Sequence, residues 1–234
     1  MGSAQSTKSR YSRGRAMNTL FLSLPPAIVA DLERRLSVTK YGAGSLIYRQ
    51  GERPQGIFVV FSGRIKMSAV ALHAKTALLK IAGPGEVLNL AACLADEPHL
   101  TTALATEMSS VGFLAREEVI SAMHRYPAFC KAVAQHLAGT CMERTREMLL
   151  LRVPSSTSQR LSATLLRLAD SHGKGSNGFA GWNYTHAELG QLIGASRETV
   201  SRLMKRFENQ GLIDTDRSSF RIADQESIEA LGPD

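Results

Sequence analysis

The sequence predicts an α+β chain: a β-rich roll, then a long helix, then a small helical domain with some strand. Three observations carry this. Residues 40–114 break into short β-rich runs punctuated by glycine turns, residues 116–151 read as helix, and residues 185–209 hold two short helices separated by a glycine. A chain of 234 residues has room for two domains, each with its own core.

Composition narrows the class. Hydrophobic residues make up 44% and charged residues 21%, as in an ordinary soluble globular protein. No apolar run reaches the roughly 18 residues a membrane span needs, and the N-terminus lacks a signal-peptide core, so the expected location is cytoplasmic. Cys93, Cys130 and Cys141 are widely spaced and odd in number, which fits reduced thiols better than a disulfide frame or a zinc site. No paired catalytic constellation, metal spacing or nucleotide-hydrolysis loop appears, so an enzyme is not expected. The net charge of +7 suggests a polyanionic partner, yet its distribution tempers that inference. Lys8, Arg10, Arg13 and Arg15 face no acid within residues 1–18, whereas residues 152–234 hold ten basic and ten acidic side chains. Any nucleic-acid footprint in the C-terminal part must therefore be local.

The elements follow in order. The Ser-, Gly- and Arg-rich stretch 1–18 is predicted as a disordered basic tail. An amphipathic pattern from about Leu20 to Leu36 predicts a short helix. "SLIYRQGE", "GIFVVFSGRIKMSAV" and "TALLKIAGPGEVLNL" predict strands, with clear alternation in Arg64-Ile65-Lys66-Met67-Ser68. Residues 116–151 predict helix interrupted near Pro127. In its second piece Val133, Leu137, Thr140, Arg144, Met148 and Leu151 share one stripe. That spacing resembles a coiled-coil seam, imperfect at Thr140 and Arg144. Packing within one domain and pairing across a two-fold axis both fit it. "RVPSSTSQR" is the domain boundary, because Pro154 cannot continue a helix. Ser156 and Gln159 then offer a capping box for a helix running to about Asp170, closed by the loop "SHGKGSNGFAG".

"THAELGQLIG" opens with Thr185 three residues before Glu188, a second capping box. Gly194 permits a tight turn and Ser196 can cap the next helix. This is a helix-turn-helix pattern. On a wheel with Arg197 at zero, Val200, Leu203, Met204 and Phe207 fall between roughly 240° and 340°. Arg197, Ser201, Lys205, Glu198 and Arg202 fill roughly 0° to 140°. A solvated face with an i,i+4 Glu198–Arg202 pair is the plain alternative. The preceding capped helix and turn favour a DNA-reading face. Arginine binds guanine O6 and N7 in bidentate fashion and glutamate accepts from cytosine N4. Arg197, Glu198 and Arg202 therefore suit a G·C-containing half-site, with Ser201 near enough for a further contact. Lys205 and Arg206 lie where phosphate is the natural partner.

"THAELGQLIGASRETVSRLMKRFENQGLI" closely resembles the helix-turn-helix of the catabolite activator protein/FNR (CRP/FNR) superfamily of bacterial transcription regulators. "YGAGSLIYRQGERPQGIFVVFSGRIKM" resembles that family's cyclic-nucleotide-binding β-roll. The long helix matches its dimerisation helix, "LSATLLRLAD" the first helix of its DNA-binding domain, and "GLIDTDRSSFRIAD" its wing. The resemblance implies a basic tail at 1–18, a sensor β-roll at 19–120, a dimerisation helix and hinge at 121–153 and a winged helix-turn-helix at 154–234. It implies base reading by Arg197, Glu198, Ser201 and Arg202, and phosphate contacts from Thr185, Ser196, Thr199, Lys205 and Arg206. The expected target is a double-stranded palindrome with half-sites of the TGTGA or TTGA kind, bound by a homodimer. RNA polymerase is a further partner if the protein activates.

The effector is less defined. Cyclic-AMP-responsive members supply a Gly-Glu-Leu run and, about ten residues later, an Arg-Ser pair. Gly85 and Glu86 match the turn before the first motif. The run itself falls on Asn89-Leu90-Ala91 and the pair near Thr101-Thr102, so both charged ligands are missing. A buried phosphate without its arginine loses a charge-assisted contact, and no cyclic-AMP response is expected through the usual pocket. Thr145 matches a threonine used for the adenine, while Arg146 departs from the family's serine. Asn89, Leu90, Thr101, Thr102, Thr145 and Arg146 are the candidate effector pocket. Arg144 or Arg146 could meet an anionic effector or form salt bridges. An iron–sulfur cluster of the FNR type is not expected, because residues 1–36 hold no cysteine. Haem stays open, with His73, His99, His124 and His136 as available ligands, although structural roles are commoner. Cys141 is expected as a packing thiol, with oxidation sensing as the alternative. A haem, redox or gas sensor of the same family, and a small-molecule-binding module without gene regulation, are the competing readings.

Overall fold

In a computed structural model of the chain, residues 19–70, 76–152, 156–172, 184–216 and 219–231 are described. The basic tail, His73, Pro154 and most of the 171–181 loop lie outside the described residues. The chain divides into two units, Met1–Cys141 and Met142–Asp234.

The first unit opens with α1 (Thr19–Leu22) and α2 (Pro26–Arg35), where the amphipathic pattern alone predicted one helix. Pro25 and Pro26 cause the break. Pro25 sits at φ −55°, ψ 141° before a proline at the first helical position, and the residue preceding a proline is driven out of helical geometry. The strands described in this unit form two sheets. β1 (Ser37–Tyr41), β3 (Gly56–Ser62), β6 (Val87–Leu88) and β8 (Ser109–Ala115) form one sheet in the order β1-β8-β3-β6. β2 (Leu46–Tyr48), β4 (Ile65–Val70), β5 (Thr76–Ala82) and β7 (Thr102–Ala105) form the other, in the order β2-β7-β4-β5. All pairings are antiparallel, with Phe58 opposite Phe113 and Tyr48 opposite Ala103.

β3 is buried on both faces, and its period-two alternation divides the core. Ile57 and Val59 face a cluster with Leu32, Leu114, Val119 and Phe129. Val60 and its neighbour Phe58 face the roll interior with Tyr48, Ile65 and Val111. α3 (Leu90–Ala95) was not expected. Its Leu90 and Cys93 are buried, so tertiary burial rather than local signal holds this short helix. α4 (Arg116–Arg125) is followed by α5 (Pro127–Arg152). Pro127 begins α5 because its missing N–H is no loss in a first turn.

The expected α5 seam is only partly free. Val133 is core and Leu137 packs against the same cluster, so one end of that stripe serves its own unit. Among the described side chains of α5, Met142, Met148 and Leu149 are large, apolar and exposed, and Leu151 of the stripe lies outside them. Cys141 is exposed, which corrects its expected role as a packing thiol.

The second unit contains α6 (Thr157–His172), α7 (His186–Ile193), α8 (Arg197–Asn209), the hairpin β9 (Ile213–Asp216) and β10 (Ser219–Ile222), and α9 (Gln225–Glu229). α6 starts with the reciprocal capping box expected from the sequence. Gln159 N–H donates to Ser156 Oγ at 3.2 Å, and Ser156 N–H donates to Gln159 Oε1 at 2.7 Å. Leu161, Leu165, Leu189, Val200, Phe207 and Phe220 are buried in this unit.

Candidate functional site

The helix-turn-helix is built by local chemistry. Glu188 N–H donates to Thr185 Oγ1 at 3.2 Å and Thr185 N–H donates to Glu188 Oε2 at 2.8 Å. This satisfies amides that the first turn of α7 cannot. Gly194 ends α7 at φ 68°, a conformation glycine adopts without a Cβ penalty. At Gly190 a Cβ would lie 2.6 Å from the Ala195 carbonyl oxygen, so glycine there lets the turn fold back onto α7. Arg160 of α6 donates from Nε to the Ile193 carbonyl at 2.9 Å, a helix-end carbonyl that would otherwise lack a partner.

α8 begins at Ser196, whose Oγ accepts from Thr199 N–H at 3.2 Å. Val200, Leu203, Met204 and Phe207 are buried, while Arg197, Glu198, Arg202, Lys205 and Arg206 are exposed. The predicted segregation of faces is therefore the observed one. Hydrogen bonding to the Glu198 backbone amide, then to the Ser196 hydroxyl, holds the Glu198 carboxyl below the usual range, and Arg197 adds to the effect. A carboxylate in the first turn is favoured by the helix dipole and is an obligate acceptor. Ser201 is half-buried, and its hydroxyl lies 2.7 Å from His186 Nδ1. The sequence reading missed His186. On the wheel Ser201 lies at about 40°, inside the polar arc, so the helical pattern gave no sign of a partner on α7.

The candidate effector residues meet different fates. Asn89 adopts φ 69°. Its Nδ2 donates to the Gly56 carbonyl at 3.0 Å and its Oδ1 lies 2.6 Å from His99 Nδ1. His99 is 5% exposed and stacks on Tyr48 at 4.2 Å between centroids. Tyr48 OH lies 3.2 Å from Thr101 Oγ1, and Thr102 Oγ1 accepts from Gln50 N–H at 3.1 Å. Asn89 and Thr101 thus join one network through His99 and Tyr48, which the sequence did not single out together, while Thr102 bonds the neighbouring Gln50 amide. Leu90 is corrected out of the pocket, because it is buried in the cluster containing Leu32 and Phe129. Thr145 and Arg146 belong to the second unit and are exposed. Arg144 forms a salt bridge with Glu147 at 2.6 Å, and Arg167 of α6 reaches the same carboxylate at 3.3 Å. Arg144 thereby takes the salt-bridge alternative.

Burial lowers the pKa of His99, opposed by the charge of Glu52, and burial raises the Tyr48 phenol despite its bond to Thr101. Burial also raises the Cys93 thiol. Both neutral aromatic partners suit a closed network. His124 is exposed and His136 half-buried. No helix among the described residues is long and apolar enough to cross a membrane.

The cyclic nucleotide-binding domain family matches residues 38–126, and the Crp-like helix-turn-helix domain family matches residues 159–231. The chain belongs to the CRP/FNR superfamily. It is 27% identical over 216 residues to the cyclic AMP receptor protein of Thermus thermophilus, covering 91% of this chain and 95% of that protein. It is 26% identical over 212 residues to a CRP-like cAMP-activated global transcriptional regulator of Mycobacterium tuberculosis, covering 89% and 94%. The fold is shared with FixK2 from Bradyrhizobium japonicum at a TM-score of 0.75 and 18% identity, over 85% of this chain and 98% of that one. As a member of the family, the chain is a transcription regulator with a helix-turn-helix DNA-binding domain, and its fold joins a cyclic-nucleotide-binding-like β-sheet domain to that region.

Proposed function

We propose that the protein acts as a homodimer on a two-fold palindrome with TGA-containing half-sites, and that cyclic AMP is not its effector through the usual pocket. The carrying observation is α8: a Ser196-capped helix with a wholly buried apolar face and Arg197, Glu198 and Arg202 exposed on the other. Arg197 and Arg202 supply guanine-reading forks and Glu198 an ionised acceptor for a cytosine amino group. Thr185, Ser196, Thr199, Lys205 and Arg206 take the flanking phosphates. Exposed Met142, Met148 and Leu149 on α5 support a second copy covering that helix, which would set two recognition helices roughly 34–36 Å apart on the duplex. The functional division is a tail at 1–18, a sensor roll at 19–120, a dimerisation helix and hinge at 121–153 and a DNA-binding domain at 154–234.

The reading on cyclic AMP is supported by the internal use of the equivalent residues. Asn89, Thr101 and Thr102 bond to Gly56, His99, Tyr48 and Gln50, and Leu90 is core. None of these four side chains can bring a cation to a cyclic phosphate. The test is titration of palindromic TGTGA and TTGA probes against scrambled duplex, with and without cyclic AMP. Selective binding unaffected by cyclic AMP is expected. Equal affinity for scrambled DNA would remove the specificity, and a cyclic-AMP-dependent gain would overturn the pocket reading.

A further inference from the structure

The bond between His186 and Ser201 couples the first residue of α7 to the reading face of α8. We propose that His186 is a specificity-positioning residue: its ring nitrogen decides whether Ser201 offers the DNA a proton or a lone pair. The proposal rests on the assignment of Ser201 to the base-reading set.

The argument is a count of donors and acceptors. A serine hydroxyl has one proton and two lone pairs, and a neutral imidazole has one N–H and one bare nitrogen. At 2.7 Å, one partner must donate. If Nδ1 is bare, Ser201 gives its proton to the ring and turns only lone pairs outward. It then suits the amino groups of adenine N6 or cytosine N4. If Nδ1 carries hydrogen, Ser201 accepts, and its own proton is free for guanine O6 or N7, thymine O4 or a phosphate oxygen. The same serine can therefore read opposite bases according to a partner that need not touch the DNA.

Position supports this role. Ser201 is half-buried between Arg197 and Lys205, which are exposed one turn to either side. α7 is fixed at both ends, by the Thr185–Glu188 box and by Arg160 on the Ile193 carbonyl. The His186 backbone is thus held while its ring meets Ser201, an arrangement suited to positioning.

The experiment uses the full-length protein and has two arms. In the DNA-free arm, nitrogen-15 shifts of the His186 ring report which nitrogen carries hydrogen, and Ser201→Ala should move the Nδ1 signal. In the DNA arm, affinities are measured for operators changed one base pair at a time. Ser201→Ala and His186→Phe should alter preference at the same pair by about tenfold, a size expected for one polar base contact. The double variant should be no worse than Ser201→Ala, and His186→Asn, which can still bond near the Nδ1 position, should restore part of the preference. The favoured base must match the observed tautomer: amino-bearing for bare Nδ1, acceptor-bearing for protonated Nδ1.

A mismatch between tautomer and base overturns the proposal. Equal weakening on every operator by His186→Phe, with unchanged melting temperature, also overturns it and leaves a phosphate or packing role. If Arg197→Ala shifts base preference but Ser201→Ala does not, Ser201 leaves the reading set and this inference fails alone. Failure of the wild type to discriminate any palindrome defeats the proposed function as well.

Discussion

Replacing Asn89 separates the two tasks of one residue. Its side chain bridges the Gly56 carbonyl and His99 Nδ1, at 3.0 and 2.6 Å, while its backbone sits at φ 69°. Asn89→Gly removes both bonds and leaves two buried polar groups without this partner. At about 1–3 kcal/mol each, eased by water entering the small vacated space, the loss is about 2–4 kcal/mol. Asn89→Ala loses the same bonds and adds about 1–2 kcal/mol for a left-handed residue bearing a Cβ. Glycine's freer unfolded chain offsets about 0.4–1 kcal/mol of that difference. Alanine should therefore be the worse substitution by about 1 kcal/mol. Urea titration followed by circular dichroism measures the totals. Hydrogen exchange at the His99 and Gly51 amides, which bond to the Glu52 and His99 carbonyls, localises them. Two variants as stable as wild type, or glycine worse than alanine, would refute the network's structural importance.

Acid should weaken the same network. Burial lowers the His99 pKa from the ordinary 6.5, so the unfolded chain takes up the proton first. The contribution of neutral His99 is full above about 6.5 and declines below it, until the buried ring itself protonates; His99→Phe should flatten that part of the stability–pH curve. In DNA binding, Arg197→Ala should cost about 1–3 kcal/mol and relax preference at one base pair. Lys205→Ala should instead weaken all sequences similarly and reduce the salt slope by about 1, measured by fluorescence anisotropy across a salt series. Gly190→Ala places a Cβ 2.6 Å from a backbone oxygen. The gain of about 1 kcal/mol in helix propensity should be outweighed by overpacking of up to about 3 kcal/mol, lowering the melting temperature and operator affinity together.

The reading head was legible because its determinants are close in sequence. Thr185 and Glu188, Ser196 and Thr199, and the α8 stripe from Val200 to Phe207 each span one to two turns. A wheel and the capping rules suffice for such features. The same tools found the α6 box at Ser156 and Gln159. They erred at α1 and α2, where hydrophobic period outweighed two prolines, and at α3, where burial of Leu90 and Cys93 holds a helix only six residues long.

The candidate effector site resisted sequence reading for the opposite reason. Tyr48 meets Thr101 across 53 positions, Gln50 meets Thr102 across 52, and Asn89 meets Gly56 across 33. No periodicity links such partners; antiparallel pairing of β2 with β7 and of β3 with β6 brings their segments together. The missing charged ligands could be read as an absence, but what stands in their place could not. Asn89 bonds His99 and Tyr48 bonds Thr101, and a polar group already bonded inside a protein gives up that bond to any ligand. An effector entering here must replace the Asn89–His99 or Tyr48–Thr101 bond with one at least as good. A neutral hydrogen-bonding ligand can meet that condition more readily than a phosphate, because an anion brought into this site without a cationic partner also bears the full cost of its desolvation.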